Sequence, residues 1–184
     1  MEYRNELISI IEEDKLLIEI LTIVKNLNLN DCWIGAGFIR NKVWDVLHNQ
    51  KTTEFNDIDV VFFDETNTSM NLESEIEQQL TAINPNLKWS VKNQARMHIR
   101  NHHLPYKDSE NAISYWPETA TAVAARLNVN DEIEILAPYG LSDLFHLIIR
   151  PTPNVDLDVF KERVSEKQWE KKWKSLRLNN EPNF

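Results

Sequence analysis

The sequence predicts an α+β fold: a small mixed sheet flanked by helices, with a helical extension at the C-terminus. Three observations carry this. Apolar residues recur at helical spacing in several stretches, short apolar or alternating runs bounded by Gly, Pro, Asn and Asp read as strands, and a charged tail carries Trp169 and Trp173 four residues apart.

The elements follow in order. Leu7, Ile10, Ile11, Leu17, Ile20, Leu21, Val24 and Leu27 predict one or two amphipathic helices over Tyr3 to Leu27, with Asp14 placed to cap the second. Cys32-Trp33-Ile34 predicts a short strand ending at the turn Gly35-Ala36-Gly37, and Ile39, Val43, Trp44 and Leu47 mark the inner face of a helix over Phe38 to Leu47. A polar loop, His48 to Asn56, leads to the run Asp57-Ile58-Asp59-Val60-Val61-Phe62-Phe63, whose β-branched and aromatic content predicts a buried strand. Asn71 to Ile83 predicts a helix stopped by Asn84-Pro85, and Leu87 to Lys92 a strand, followed by a short segment, helical or extended, carrying Asn93, Gln94, Arg96 and His98 and then a loop. Alternation from Thr121 to Leu127 and from Ile133 to Ala137, around the turn residues Asn128 to Asp131, predicts a hairpin. Leu141 to Ile149 then reads as a short buried helix capped by Ser142 or Asp143, and Pro151-Thr152-Pro153 sets off the charged C-terminal helix.

A chain of 184 residues with 42% apolar content predicts one domain over 1–184, with a core over 28–150 and the extension over 151–184. A net charge of −9 argues against long nucleic acid as a partner, because that affinity rests on clustered Lys and Arg. One cysteine, no leader-like start and no apolar run of ~20 residues predict a cytoplasmic protein with no membrane partner.

The carboxylate pair at the mouth of an apolar strand calls for a reason. Side chains alternate along a strand, so Asp57 and Asp59 face the same way and can share one divalent ion, which makes both candidate metal ligands and catalytic residues. Upstream, Gly35 and Gly37 lack the β-carbon that would keep a phosphate from the backbone, and the helix beginning after Ala36 aims N–H groups at the same point. Mg²⁺ or Mn²⁺ held by one or two carboxylates fills its remaining positions with phosphate oxygens and water. A nucleoside triphosphate (NTP) on the glycine turn and a metal on the aspartates therefore complete each other, and the reaction such a site supports is in-line attack on the α-phosphate.

These residues carry a resemblance. Gly35-Ala36-Gly37-Phe38-Ile39-Arg40-Asn41, Val43-Trp44-Asp45 and Asp57-Ile58-Asp59-Val60-Val61 resemble the polymerase-β-like nucleotidyltransferase superfamily, whose signature is a Gly-Gly or Gly-Ser turn and a downstream Asp-x-Asp strand. Asn93 to His98, Trp116 to Ala122, Ala137 to Leu141 and Trp169 to Trp173 are similar to landmarks of a bacterial family of nucleotidyltransferase-like proteins within it. The resemblance spans most of the chain from Cys32 onward and implies the polymerase-β-like fold. The chain departs from the pattern in a Gly-Ala-Gly turn, a longer spacing to the aspartates, and no acid over Trp89 to Asn93, where many members place a third carboxylate; Glu118 and Glu134 are the candidates to replace it.

Other residues have two readings each. Arg40 and Asn41 either contact the triphosphate or are ordinary solvated helix residues. Arg96 and His98, two apart, face one side if extended and then steady phosphates or the acceptor; otherwise they pair with a surface acid and a backbone carbonyl. A zinc site at His98, His102 and His103 is disfavoured by the missing motif and second cysteine, and Thr119 and Thr121 read as packing residues rather than base or ribose contacts. Trp169 and Trp173, at i and i+4, read as core.

The leading functional expectation is a metal-dependent transfer of a nucleoside monophosphate from an NTP to an unidentified small-molecule or protein acceptor. The alternatives are a catalytically inactive nucleotide-binding or partner-binding module, motivated by the missing third carboxylate, and a metal-dependent phosphohydrolase using the same aspartates.

Overall fold

A computed structural model describes residues 2–51, 53 and 57–181. Of the polar loop expected over His48 to Asn56, positions 52 and 54–56 lie outside the described residues. Two N-terminal helices, α1 (Glu2–Glu12) and α2 (Lys15–Lys25), meet at Asp14, whose carboxylate accepts from the N–H groups of Leu16 and Leu17 as expected of an N-cap. Strand β1 (Trp33–Gly35) runs through the glycine turn into α3 (Gly37–Leu47). Then come β2 (Ile58–Phe62), α4 (Met70–Ile83, capped by Ser69), β3 (Trp89–Asn93) and α5 (Gln94–Asn101). Helix α6 (Ser109–Ile113), the hairpin β4 (Ala124–Leu127) and β5 (Ile133–Leu136), and α7 (Ser142–Phe145) follow. The chain closes with β6 (Ile148–Ile149), α8 (Leu157–Lys167), α9 (Trp169–Lys172) and β7 (Arg177–Leu178).

Five strands form a mixed sheet in the order β3-β2-β1-β4-β5, parallel only between β2 and β3. Alternation divides its residues. Ile34, Ile58, Val60 and Phe62 are at most 1% exposed and pack with Leu17, Ile20, Phe38 and Trp44 of the helices in the main core, each such side chain being worth about 1.5–3 kcal/mol on burial. Trp33, Val61, Ala124 and Leu136 lie on the opposite face with Ile113 and Ala122. Asp59 pairs with Gly35 and Val61 with Trp33, so Asp59 belongs to this second face, away from the helix-covered core.

The structure corrects several expectations. The segment after β3 takes the helical one of its two readings, because Asn93 caps it by accepting from the Ala95 N–H, which excludes the extended conformation that would align Arg96 with His98. The loop beyond it contains α6, capped by Asp108. The helix expected to Ile149 stops at Phe145; Leu147 takes a positive φ of 59°, and Ile148 enters a strand pairing in parallel with β7. The C-terminal helix breaks at Gln168 (φ 48°), so that Trp169 starts a new turn rather than continuing the old one. No helix among the described residues is long and apolar enough to cross a membrane.

Candidate functional site

Strand pairing builds the site. Gly35 sits opposite Asp59 in the antiparallel β1–β2 ladder, so the turn leaving β1 emerges beside the aspartates arriving on β2. Asp57, Asp59, Ala36, Gly37, Arg40 and Asn41 line one cavity of about 340 Å³. Six of the sequence-predicted site residues are thus together.

Asp57 is exposed and Asp59 half-buried. Burial, and after it the neighbouring Asp57 carboxylate, raise the Asp59 pKa; a Ser90 hydrogen bond, Arg40 and Arg163 oppose the rise. Ser90 stands level with Asp59 on β3, where a third acid was looked for, and supplies a hydroxyl instead. Two carboxylates that disfavour each other's charge are what a divalent cation relieves, and a donor set of two carboxylates fits Mg²⁺ or Mn²⁺ completing its shell with phosphate and water. Among the described residues no group of three or more His, Cys, Asp or Glu is placed to hold a metal.

The two glycines do different things. A β-carbon on Gly35 would come within 2.4 Å of the Trp116 ring, so this glycine makes room for a side chain packed on the sheet, not for phosphate. At Gly37 a β-carbon would meet only Asn41 Nδ2 at 3.5 Å and Arg40 NH2 at 3.6 Å, on the cavity side. Ala36 between them adopts φ 53°, ψ −121°, a conformation that costs an L-residue on the order of 1–3 kcal/mol. It is held there by its N–H bond to the Val123 carbonyl (3.0 Å), while its own carbonyl accepts from Ile39 and Arg40. No side chain caps α3, which begins at Gly37 on the cavity.

Arg40 is buried and yet forms no ion pair among the described residues. Its NH1 donates to Thr121 Oγ1 (2.7 Å), its Nε and NH2 to Asn41 Oδ1 (3.2 and 2.9 Å), and the guanidinium lies over the rings of Trp169 (4.5 Å) and Trp44 (5.1 Å). Burial brings its pKa down to about 10, with Glu118 and Asp59 pulling it back up and Arg163 pushing it further down. The group is still cationic at neutral pH. Arg40 is therefore no solvated helix residue, and Asn41 serves both as its acceptor and as an amide beside Gly37.

Arg96 and His98 are not brought here. Being helical, α5 does not set residues two apart on one side, and it starts at the Phe62 end of β2, about 10 Å further along the strand than Asp59 at ~3.3 Å per residue. Arg96 makes a two-pronged ion pair with buried Glu73 (Nε–Oε1 2.7 Å, NH2–Oε2 2.5 Å), which raises its pKa, and Glu73 also accepts from the Asn93 N–H. His98 sets its ring against Tyr106, with a buried Nδ1 that has no hydrogen-bond partner among the described residues. His103 Nδ1 bonds the Tyr106 hydroxyl at 2.6 Å.

The remaining candidates also find structural partners. Thr121 accepts from Arg40, and Thr119 donates to Asp143 (2.7 Å). Glu134 pairs with Arg126 on the hairpin, which lowers its pKa. Glu118, 1% exposed, accepts from Arg163 Nε (2.7 Å), and its second oxygen has no hydrogen-bond partner among the described residues. Neither glutamate lines the cavity.

One wall went unread in the sequence. Arg163, Lys167, Gln168, Trp169, Lys172 and Trp173 face the glycine turn across the cavity. The indoles of Trp169 and Trp173 pack edge-on against Trp44 (5.7 and 5.1 Å), as core packing predicts, and they also carry the cations between them to the site. Asp45 fixes this wall: its buried carboxylate accepts from Trp173 Nε1 (2.9 Å), the Thr53 N–H (2.6 Å) and the Thr53 hydroxyl (2.7 Å). Lys172 Nζ also contacts Thr53 Oγ1, and the Ser175 N–H donates to His48 Nε2 (3.1 Å). The only advance signals were the Trp spacing and the Val43-Trp44-Asp45 landmark, neither of which names a partner.

A family model described as nucleotidyltransferase matches residues 22–178. An NMR structure described as revealing a CCA-adding enzyme head domain is 35% identical, with 96% of each chain covered and a TM-score of 0.87. Two whole enzymes share the fold at lower identity: a CCA-adding enzyme in complex with CTP (15% identity, 93% of this chain and 42% of that one, TM-score 0.58) and the Thermotoga maritima CCA-adding enzyme complexed with tRNA (16% identity, 95% and 42%, TM-score 0.58). This chain spans less than half of those two. No curated protein sequence matches it. With a family match over most of its length and a head-domain relative at this identity, the chain belongs to the nucleotidyltransferase family.

Proposed function

We propose that this nucleotidyltransferase binds a nucleoside triphosphate with Mg²⁺ or Mn²⁺ and transfers the nucleoside monophosphate to an acceptor oxygen. The observation that carries the proposal is the Gly35–Asp59 pairing, which sets the glycine turn, Arg40 and the two aspartates around one cavity. Asp57 and Asp59 would hold the metal, which when bound neutralises charge on the phosphates. Gly37 lets the phosphates approach the start of α3, Asn41 offers its amide there, and Arg40 supplies a fixed positive charge from the floor of the cavity. In the transfer, the acceptor oxygen forms a bond to the α-phosphorus. The bond from that phosphorus to its bridging oxygen breaks, pyrophosphate leaves with the electron pair, and the acceptor's proton goes to solvent. The CTP complex of a fold relative supports the substrate class. The tRNA complex of another bears on the acceptor: local charge at the cavity, not the net charge of the chain, decides whether an anion is welcome.

Isothermal titration with each triphosphate and Mg²⁺ or Mn²⁺ tests the reading. Wild type binds at least one of them, and the Asp57→Ala plus Asp59→Ala variant loses metal-dependent binding by at least about tenfold, the equivalent of about 1.4 kcal/mol. Equal binding by the variant would remove the proposal.

A further inference from the structure

The charge of the cavity runs against that of the chain. Among the described residues six charged side chains line it, and four are cations, Arg40, Arg163, Lys167 and Lys172, against Asp57 and Asp59, whereas the whole chain carries 29 acids and 20 bases. The four cations also differ in depth. Arg40 is buried at the floor beside the aspartates, and Arg163 is tied to Glu118. Lys167 and Lys172 are exposed at the rim. Among the described residues the Lys167 ammonium has no hydrogen bond or ion pair, and the Lys172 ammonium meets only the Thr53 hydroxyl and the Trp173 face, so no acid among the described residues pairs with either.

Size reinforces this layering. At about 340 Å³ the cavity is near the lower end of small-molecule sites, which run from ~300 to 1,000 Å³. A triphosphate seated on Gly37 and the aspartates would occupy most of a space of that size, and an acceptor would then approach from the exposed side. That side is framed by two lysines on consecutive turns of chain, oriented by the break at Gln168 and anchored through Trp173 to Asp45. Lysine binds phosphate as a point charge without a fixed fork, which suits a rim where the ligand is part solvated.

Resting on the nucleotide reading above, we infer that Lys167 and Lys172 form a second anion subsite, which receives a phosphate group carried by the acceptor. The acceptor is then a phosphate-bearing molecule whose nucleophilic oxygen is presented to the α-phosphate while its phosphate stays at the rim.

The test uses inorganic phosphate as the probe, titrated into the full chain already saturated with Mg²⁺ and a non-hydrolysable triphosphate. One saturable phosphate site is expected on this complex. It weakens at least about tenfold in Lys167→Ala plus Lys172→Ala and measurably in Lys167→Ala alone, which removes no hydrogen bond of the fold, while triphosphate affinity in both variants stays within about threefold. Absence of phosphate binding to the wild-type complex, or phosphate binding unchanged in the variants, overturns the subsite and leaves the triphosphate reading standing. A parallel loss of triphosphate binding overturns it too, by assigning the lysines to the nucleotide. If the triphosphate itself fails to bind, both proposals fall.

Discussion

Arg40 and Arg96 are two partly or fully buried arginines on helices that follow strands of the same sheet, and each was a candidate phosphate ligand. They end in opposite states. Arg96 meets the buried Glu73 carboxylate with two nitrogens, so its charge is answered within the fold. Arg40 is held by a hydroxyl, an amide and two indole faces, none of which carries a charge, and only more distant acids balance it. A guanidinium fixed by neutral partners keeps its field available to a ligand, whereas one closed on a carboxylate serves structure.

Breaking the structural member should have the largest effect. Arg96→Met leaves buried Glu73 with only the Lys92 ammonium, 4.0 Å away, as counter-ion and is expected to lower stability by up to about 3–5 kcal/mol, read by denaturant unfolding, while the folded fraction binds triphosphate within about twofold of wild type. Arg40→Met is expected to do the reverse in binding: a loss of roughly 10–100-fold in triphosphate affinity, as for removal of a charged contact of about 1.5–3 kcal/mol, measured by titration calorimetry. If Arg96→Met weakened the nucleotide more than Arg40→Met, the assignment of the two arginines would be inverted.

Acidity sharpens the same contrast, because Arg40 is one of the groups opposing protonation of Asp59. The Asp59 pKa is raised above its usual 3.8, so the charged carboxylate is a destabilising element of the metal-free fold above its folded pKa, and that penalty is relieved as pH falls through the folded pKa. Metal binding requires the charged form. Mn²⁺ affinity should therefore begin to fall at a higher pH than for an ordinary aspartate pair, and at a higher pH still in Arg40→Met; the check is a pH series of Mn²⁺ titrations. The smallest effect concerns the turn itself. Ala36→Gly relieves a positive φ costing on the order of 1–3 kcal/mol against a glycine entropy cost of about 0.5–1 kcal/mol. A rise in melting temperature is expected, and a fall would mean that the turn is not strained as described.

What could be read in the sequence had local causes. The Asp14 cap, the Gly35 to Gly37 turn, the Asp57/Asp59 alternation and the hairpin around Asn128 to Asp131 each depend on neighbours within a few residues. What could not be read depended on distant partners. Nothing near Arg96 names Glu73, 23 positions away, and nothing near Trp173 names Asp45, 128 positions away. Gly35 looked like its neighbour Gly37 until Trp116 was seen to occupy the space of its missing side chain. The break at Gln168, which turns a charged helix into a wall of the cavity, falls at a residue with no glycine to announce a left-handed conformation.

The position of a bound metal is the most direct mark of the nucleotide site. A crystal grown with Mn²⁺ and a non-hydrolysable triphosphate, measured for anomalous scattering, should show its manganese peak between Asp57 and Asp59 with the phosphates against Gly37. A peak at the Glu73 or His98 end of the sheet, with none at the aspartates, would contradict it.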